Sequence, residues 1–421
     1  MKFLEEKFVP LAAQIGSQKH LACIRDSFTT MMPLTIAGAV GVLFACVGSL
    51  FDVTGLNMPA VMNGYNNFIA TTGLSSVFGG MNAGTISMIA IIISGLLSYN
   101  LCAANGLEGS VGFAVGVACY LSCLPEVSGT YFGAQGLFVA MISSLIVGTI
   151  FPKLALNPKL QITMPDGVPP AVAKAFSSLI PAIITLIIMC AIFTYLKMIT
   201  GQDAWALVTQ FISAPLAGLS QGVGMVIIMY FMIGLLWTFG LHGANIVGSV
   251  TTPILTPLGL ENVALFAAGK EPIYTVVGEL QSAFSFLGGS GATMGAIIAI
   301  FLFSKSKASR SIATLATPPG IFEINEPLVF GLPIVMNVVY MFPFIFGPVL
   351  LGVLTYYIME MGIIRRCCIS APWVTPPILI GFLATGGDFK GAIWNVIELV
   401  ILTVLWTPFI MMNDKLEAGQ E

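Results

Sequence analysis

Charged residues are scarce in this 421-residue sequence. Lysine, arginine, aspartate and glutamate together account for 8% of the chain, and only two histidines occur. Soluble domains carry about 25% charged residues, so the composition argues against a soluble globular fold. Hydrophobic residues instead make up 57% of the chain, and the mean hydropathy is +0.96. These values are typical of a polytopic membrane protein. We predict an all-α fold, because helices satisfy their own backbone groups in lipid.

The sequence also lacks the signatures of several other functional classes. It contains no GxxxxGK[ST] motif, so no nucleotide site of that kind powers its activity. The formal net charge is −3 and no basic stripe is present, which argues against a nucleic-acid partner. The eight cysteines are not spaced like a disulfide framework or a metal site. We therefore expect no metal and no cofactor.

Apolar stretches predict about ten membrane spans. Several are shorter than the roughly 20 residues of a perpendicular helix, so tilting or burial by neighbours would have to compensate. The polar stretch Gln202–Ser220 separates two halves of five spans each, and we place a boundary there between domains 1–205 and 206–421. The predicted spans are Thr29–Leu50, Ile86–Ala104, Ser110–Leu124, Gln135–Phe151, Leu179–Met198, Gly222–Phe239, Phe286–Phe303, Ile334–Ile358, Pro372–Thr385 and Ala392–Met411.

Basic residues indicate the orientation of these spans. Residues 1–28 carry four lysines and arginines just before the first span, which predicts a cytoplasmic N-terminus. The connection 152–174 holds three lysines and suits the same face. The basic clusters at 305–310 and 365–366 are predicted to be cytoplasmic as well.

Two apolar stretches are interrupted by proline and glycine, near 241–270 and 317–333, and we predict that both are re-entrant hairpins. The first contains Pro253 and Pro257. The second reads TPPGIFEINEPLVFGLP, and its prolines cannot all lie inside one regular helix, because each removes an amide donor. Irregular backbone at membrane depth requires protein or a water-filled cavity around it. Broken segments of this kind point to a transport site.

The second hairpin carries two carboxylates, Glu323 and Glu326, with Asn325 between them. A carboxylate at membrane depth costs about 3 kcal/mol or more, so it normally faces a cavity or a partner. We predict that the hairpin tip presents Glu326 and Asn325 to a polar ligand, with Glu323 as a further substrate-binding residue. The alternative is a solvated loop between helices, which the apolar neighbours of these residues disfavour.

A second candidate segment, WTFGLHGANIVG, contains Trp237, His242 and Asn245. Gly240 and Gly243 bracket the histidine and allow the backbone to leave helical geometry. A histidine here can hydrogen-bond a ligand and titrates near neutral pH, and Trp237 can offer an apolar face to a sugar ring. The alternative is a buried histidine satisfied by a neighbouring helix, with Trp237 as an interface anchor.

Three weaker features accompany these segments. Trp373, in the broken stretch APWVTPP, is a possible second sugar platform. The run FLGGSGATMG, which includes Gly288–Gly295, could cradle a phosphate, but small residues four apart favour close helix packing. Glu279 stands alone before the seventh span.

The residues alone predict a transporter for a polar solute and leave two mechanisms open. One is a proton-coupled secondary sugar transporter in which Glu326 or His242 carries the proton. The other is group translocation, in which the solute is chemically modified as it arrives.

Three motifs, GLHGAN, FLGGSGAT and GIFEINEPLVFGLP, occur in an order and spacing that resembles a known family. That family is enzyme IIC, the membrane component of the bacterial phosphotransferase system, in its lactose, cellobiose and N,N′-diacetylchitobiose branch. The segments PDGVPPAVAKAFSSLIP, FVPLAAQIG and MMPLTIAGAV extend the resemblance over nearly the whole chain. The NEP motif in its apolar frame is the most specific of these.

The resemblance implies a multi-pass protein of the bacterial inner membrane that forms a homodimer. It implies an N-terminal scaffold half and a C-terminal transport half that moves the sugar site across the membrane as an elevator. It also implies uptake of a β-linked disaccharide whose 6-hydroxyl is phosphorylated by a phosphocysteine of a separate enzyme IIB, with enzyme IIA as a further partner. The chain would be a sugar phosphotransferase only together with enzyme IIB.

The resemblance also implies roles for single residues. Glu326 of the NEP motif would hold the 6-hydroxyl and act as its general base, and His242 would contact the same sugar. The remaining contacts would be ring packing by Trp237 and Trp373 and polar contacts from Asn325 and Asn245.

Two departures from the family pattern affect the expected substrate. The chain ends at Glu421 without the fused cysteine-bearing IIB domain of lactose-type members, which favours the cellobiose or chitobiose type. Where the family often has an aspartate before the seventh span, this sequence has Ser282. A contact at that place is therefore not carried over.

Overall fold

The computed structural model describes residue 14 and residues 18–418, apart from 54–57, 127, 166, 333 and 336. This part of the chain is helical and contains no strand, which confirms the all-α prediction. The α-helices are α1 (Lys19–Val53), α2 (Pro59–Thr71), α3 (Leu74–Ala83), α4 (Ile89–Ala103), α5 (Gly109–Ser122), α6 (Gly129–Phe132), α7 (Leu137–Ala155), α8 (Pro170–Ser177), α9 (Leu179–Thr200), α10 (Ala204–Val208), α11 (Ala214–Ser220), α12 (Val223–Thr238), α13 (Gly243–Ala267), α14 (Gly278–Leu280), α15 (Met294–Phe303), α16 (Lys307–Ile321), α17 (Glu326–Gly331), α18 (Val338–Glu360), α19 (Leu379–Ala384) and α20 (Phe389–Ala418).

Six helices within the described residues are long and apolar enough to cross a membrane, and the number rises to eight if each of two bent pairs is one span. Two further apolar helices, α5 and α15, have only 14 and 10 residues and fall short of the membrane thickness. The structure therefore confirms a polytopic membrane protein, whereas the prediction of ten spans is not confirmed.

The chain forms two compact units. The first unit comprises Ser17–Thr35 and Ala83–Gly218, and the second contains Ile36–Asn82 and Leu219–Glu421. The break between Gly218 and Leu219 lies close to the polar stretch where we placed a domain boundary. The segment Ile36–Asn82, however, belongs to the same unit as the C-terminal residues. All predicted site residues belong to the second unit. The predicted roles of scaffold and transport domain remain predictions.

In the first unit, α4 packs against α5 and α7, and α9 packs against α5 and α7. The approach of α4 and α5 depends on glycine, because a Cβ at Gly112 would overlap Cys102 and a Cβ at Gly116 would overlap Ser98. Cys102 and Cys119 lie fully buried in the apolar core of this unit. They behave as small hydrophobic residues.

In the second unit, α12 packs against α13 and α18, while α20 packs against α15, α18 and α19. The short helices α16 and α17 pack against each other, and α16 also contacts α15. The two candidate segments therefore lie on a common helical framework.

The prediction of a hairpin at 241–270 is wrong. Residues Gly243–Ala267 form the single helix α13, with Pro253 and Pro257 inside it. The prolines lie four residues apart on one side of the helix, so the missing amide donors are confined to that side. Ser249 and Thr251 also donate their hydroxyls to the carbonyls of Ile246 and Val247 in the preceding turn.

The prediction of a span at 372–385 is also wrong. Only the six residues of α19 are α-helical there. Pro372, Pro376 and Pro377 precede the helix and remove backbone donors from the first half of the stretch.

The two C-terminal basic clusters lie at opposite ends of α20. The backbone N–H of Arg365 donates to Asp388, one residue before the helix begins, at 3.2 Å. The backbone N–H of Lys305 donates to Asp414, in its last turns, at 2.6 Å. A helix of this length spans roughly 40 Å, more than the hydrocarbon core of about 30 Å. The prediction that both clusters are cytoplasmic is therefore wrong.

The charges of the 365–366 cluster are used locally. Arg366 forms an ion pair with Glu360 at 3.2 Å, and Arg365 lies 3.9 Å from Glu271. Paired charges of this kind carry little information about the side of the membrane on which they lie.

Candidate functional site

The chain bends between α16 and α17, within residues 317–332. Pro318 and Pro319 lie in the last turn of α16, and Pro327 follows the first residue of α17. Proline is favoured in the first turn of a helix because the amide there has no intrahelical acceptor. A Cβ at Gly331 would overlap Ile312, so α17 returns closely along α16.

The turn between these helices is held by Glu323. This residue has a positive φ of 66°, which is uncommon outside glycine, asparagine and aspartate. Its side chain is buried, and its Oε2 accepts the backbone N–H of Gly289 at 2.8 Å. Its Oε1 has no partner within the described residues. Strained, buried residues of this type cluster at functional sites.

Asn325 makes the second contact between the turn and the glycine-rich loop Gly288–Thr293. Its buried amide donates to the carbonyl of Ser290 and to Thr293 Oγ1, the latter at 3.2 Å. The amide of Asn325 is therefore bonded to protein and not open to solvent. Together, Glu323 and Asn325 fix the position of the next residue, Glu326.

The glycine-rich loop packs closely and also binds a side chain of the protein, whereas a phosphate cradle remains a prediction. Gly288 and Gly289 have positive φ values of 81° and 94°, and backbone amides in such conformations make anion-binding concavities. The group held here is the side chain of Glu323, whose Oε2 accepts the N–H of Gly289. The loop is also closely packed, because a Cβ at Gly291 would overlap the ring of Phe344.

Glu326 is the first residue of α17 and is half-buried. Within the described residues, no side chain or backbone group donates to its carboxylate. The Glu326 carboxylate is thus the acidic group of the turn that is available to a ligand. The backbone that carries it is held in place by Glu323 and Asn325.

His242 lies at the N-terminus of α13 and is exposed. Its Nδ1 accepts the backbone N–H of Asn245 at 3.2 Å, so the neutral ring carries its proton on Nε2. Gly240 has a positive φ of 79°, and a Cβ at Gly243 would overlap the backbone of Ile233. The glycines thus allow the turn that exposes the imidazole.

Trp237 is buried, with 4% of its surface exposed, and its ring centroid lies 4.7 Å from that of His242. The predicted sugar platform at Trp237 is not open in this structure, because the imidazole and the surrounding helices cover the indole. Its Nε1 has no partner among the described residues. The packing positions the histidine ring.

The turn that carries His242 and the turn between α16 and α17 lie in the same region of the second unit. A Cβ at Gly240 would lie 3.6 Å from Cγ1 of Val335, which follows α17 by four residues. Gly240, two residues before His242, therefore lies close to the segment that leaves the turn.

The other predicted residues are exposed. Asn245 lies in the first turn of α13, and Trp373 is 47% exposed on the loop before α19. No described contact joins Trp373 to Glu326 or His242. Glu279 accepts the hydroxyl of Ser370, three residues before Trp373. Among the described residues, no group of three or more acidic, cysteine or histidine side chains could hold a metal ion.

Sequence reasoning missed two buried polar residues, Asn395 and Glu398, in the last predicted span. Both are fully buried in the second unit. A signal for them was present, because an amide and a carboxylate three residues apart in an apolar helix are a functional candidate by default.

Comparisons with known proteins agree on one family. The sequence model of the phosphotransferase system EIIC family matches residues 25–348. The cellobiose-specific EIIC component of Lactococcus lactis subsp. lactis (strain IL1403) is 32% identical, with 99% of this chain and 98% of the relative covered. The oligo-beta-mannoside-specific EIIC component of Bacillus subtilis (strain 168) is 31% identical, with 99% and 95% covered. The crystal structure of the transporter ChbC, the IIC component from the N,N'-diacetylchitobiose-specific phosphotransferase system, superimposes with a TM-score of 0.90 at 30% identity, with 99% of each chain covered.

Proposed function

The chain belongs to the phosphotransferase system EIIC family of membrane sugar permeases, and we propose that it takes up a β-linked disaccharide that is phosphorylated on its 6-hydroxyl during uptake. The disaccharide class follows from the relatives, which are named for cellobiose, oligo-β-mannosides and N,N'-diacetylchitobiose. The phosphoryl donor would be a phosphocysteine of a separate enzyme IIB, which works with enzyme IIA.

The proposal includes an assembly. The protein would act as a homodimer in the bacterial inner membrane with its N-terminus in the cytoplasm. One half would serve as a scaffold and the other would move the sugar site across the bilayer. The unit that contains Leu219–Glu421 holds every proposed site residue, so we assign the moving role to it.

The observation that carries the proposal is the Glu326 carboxylate, which is half-buried and without a described protein donor on a turn anchored by Glu323 and Asn325. We propose that this carboxylate binds the 6-hydroxyl of the sugar. As the sugar oxygen attacks phosphorus, Glu326 would take the hydroxyl proton. The new O–P bond forms as the S–P bond of the phosphocysteine breaks, and the thiolate of enzyme IIB leaves.

Such a reaction needs positioning more than covalent chemistry from the permease. Phosphoryl transfer is promoted mainly by alignment and charge stabilisation, and a placed general base contributes about 10²- to 10⁴-fold. The turn before Glu326 supplies this alignment, because Glu323 and Asn325 are buried and hydrogen-bonded to the loop Gly288–Thr293.

His242 and the remaining residues would bind the same sugar. The proton on Nε2 of His242 makes the exposed imidazole edge a donor to a sugar oxygen, while Trp237 supports the ring from behind. Trp373 would pack on the second ring, and Asn245 would add a polar contact. We assign Glu323 and Asn325 to positioning, with Oε1 of Glu323 as the one atom of the pair still able to accept from the sugar.

Uptake by membrane vesicles tests the function. Vesicles that contain the protein should accumulate disaccharide phosphate when enzymes IIA and IIB and a phosphoryl donor are present, and should accumulate no free sugar in their absence. Accumulation of unmodified sugar without these partners, driven by a proton gradient, would contradict the proposal and establish the proton-coupled alternative.

A further inference from the structure

The last membrane helix, α20, carries a buried polar cluster that contacts two separate loops. Asn395 is completely buried and makes four hydrogen bonds. Its Oδ1 accepts the backbone N–H groups of Ile378 and Gly381 at 3.0 and 3.1 Å. Its Nδ2 donates to the carbonyl of Ala283 at 2.9 Å and to Glu398 at 2.8 Å. The amide therefore has all of its donors and acceptors in use.

Glu398 holds the Asn395 amide in this orientation. Its other oxygen accepts the hydroxyl of Thr355 at 2.6 Å, and that hydroxyl accepts the indole N–H of Trp394 at 2.8 Å. The carbonyl of Ala283 can only accept and the backbone N–H groups of Ile378 and Gly381 can only donate, so the Asn395 side chain must present its NH₂ group to Ala283 and Glu398. Its carbonyl oxygen then faces Ile378 and Gly381.

On one side, Asn395 stabilises a strained junction. Ile378 has a positive φ of 74°, which is strained for a β-branched residue and persists only where the surroundings enforce it. The segment before it contains Pro372, Pro376 and Pro377, each with a fixed φ. Holding the N–H of Ile378 therefore fixes the short, stiff segment that carries Trp373.

On the other side, Asn395 holds a turn that leads to the carboxylates. Ala283 lies in the π-helical turn Gln281–Ser285, a geometry frequent at functional sites. The chain then enters the loop Gly288–Thr293, whose amides and hydroxyl hold Glu323 and Asn325. One side chain thus joins the support of Trp373 to the support of Glu326.

We infer that Asn395, held by Glu398, is a positioning residue that sets the spacing between the Trp373 loop and the Glu326 turn, and thereby selects sugars of two rings. This inference rests on the proposed function, in which Glu326 takes the ring to be phosphorylated and Trp373 takes the other ring. A one-ring sugar uses only the Glu326 side. A change in this spacing therefore alters the binding of disaccharides and not the binding of monosaccharides.

The test compares Asn395→Asp with a matched control. Aspartate keeps the size of the side chain and an oxygen that can accept from Ile378 and Gly381. It loses the two bonds that Asn395 donates and places a second carboxyl group beside Glu398. Asn262 provides the control, because it is also fully buried, accepts from Ile273 and Tyr274, and donates to Tyr274 and Cys367. Asn262→Asp loses the same kinds of bonds without touching Ala283 or Ile378.

Binding of cellobiose and of methyl β-glucoside to purified protein is then measured by titration calorimetry. Asn395→Asp should weaken cellobiose binding by up to about tenfold, the strength of the one aromatic contact that the displaced Trp373 loop would lose, with little change for methyl β-glucoside. Asn262→Asp should leave the ratio of the two affinities at the wild-type value. A ratio unchanged in Asn395→Asp would overturn the inference while wild-type binding of cellobiose still supported the proposed function. A wild type that binds none of cellobiose, an oligo-β-mannoside and N,N'-diacetylchitobiose would contradict the proposed function itself.

Hydrogen exchange on the wild type tests the same inference without a variant, should Asn395→Asp fail to fold. Cellobiose should slow exchange at both 281–285 and 378–381, and methyl β-glucoside should slow it at 281–285 alone. Protection of only one segment by cellobiose, or equal protection by both sugars, would overturn the inference.

Discussion

Replacing Gly289 with alanine should misplace Glu326 without changing any titratable group. Gly289 has a φ of 94°, and an added Cβ would lie 2.7 Å from both the carbonyl oxygen of Glu323 and Cγ of Asn325. Ordinary contact begins at 3.4 Å, so the turn must retreat by about 0.7 Å, and displacements of about 1 Å cost up to about 10²-fold in rate. We expect kcat/KM for sugar phosphorylation to fall about 10- to 100-fold.

A second glycine variant separates this displacement from backbone strain. Gly269 also has a positive φ, of 71°, but nothing lies within 4 Å of an added Cβ there. Gly269→Ala should bear the left-handed penalty of about 1–2 kcal/mol, visible in thermal unfolding, and phosphorylate sugar at the wild-type rate per folded molecule. The reasoning is refuted if Gly289→Ala also phosphorylates at that rate, or if both variants lose activity equally.

Three further predictions concern single side chains of the second unit. His242→Asn keeps an N-cap acceptor for α13 and His242→Ala removes it, so only the alanine variant should lose about 1 kcal/mol of stability. Both variants should lose sugar binding in calorimetry. Wild-type affinity in His242→Asn would show that His242 serves only as an N-cap. Trp373→Ala should weaken disaccharide binding up to about tenfold, the strength of one aromatic contact, with Trp373→Phe in between; unchanged affinity in the alanine variant would remove the platform. Gly291→Ala should lower stability by about 1–3 kcal/mol through overlap with Phe344. Phe344→Leu should recover part of this loss in thermal unfolding, and no recovery would place the strain elsewhere.

Local signals in the sequence predicted the helical membrane class and the bend before Glu326. The prolines at 318, 319 and 327 act on their own helices, so their effect is visible within a short window. The same rule failed at 241–270, where Pro253 and Pro257 lie inside one continuous helix. A membrane helix tolerates proline when the neighbouring structure accommodates the freed backbone groups, and a pattern of prolines and glycines does not reveal this.

The division of labour among the acidic residues could not be predicted from their spacing. Glu323 and Glu326 look alike in the sequence, yet Glu323 is buried against Gly289 and Glu326 remains half-exposed. The partners of Glu323 and Asn325 lie more than thirty residues earlier, and one of the four partners of Asn395, Ala283, lies 112 residues away. Contacts at such separations depend on tertiary packing. Only the polarity of these residues in apolar surroundings signals their importance.

The most direct test of the account is the rate of disaccharide phosphate formation by Glu326→Gln. The variant would be supplied with phosphorylated enzyme IIB, and its sugar binding would be measured in parallel. The amide keeps the shape of the side chain but cannot accept the hydroxyl proton, so we predict a rate at least about 10²-fold lower in a folded protein that still binds the sugar. Phosphate formation at the wild-type rate would contradict the role of Glu326, and with it the site described here.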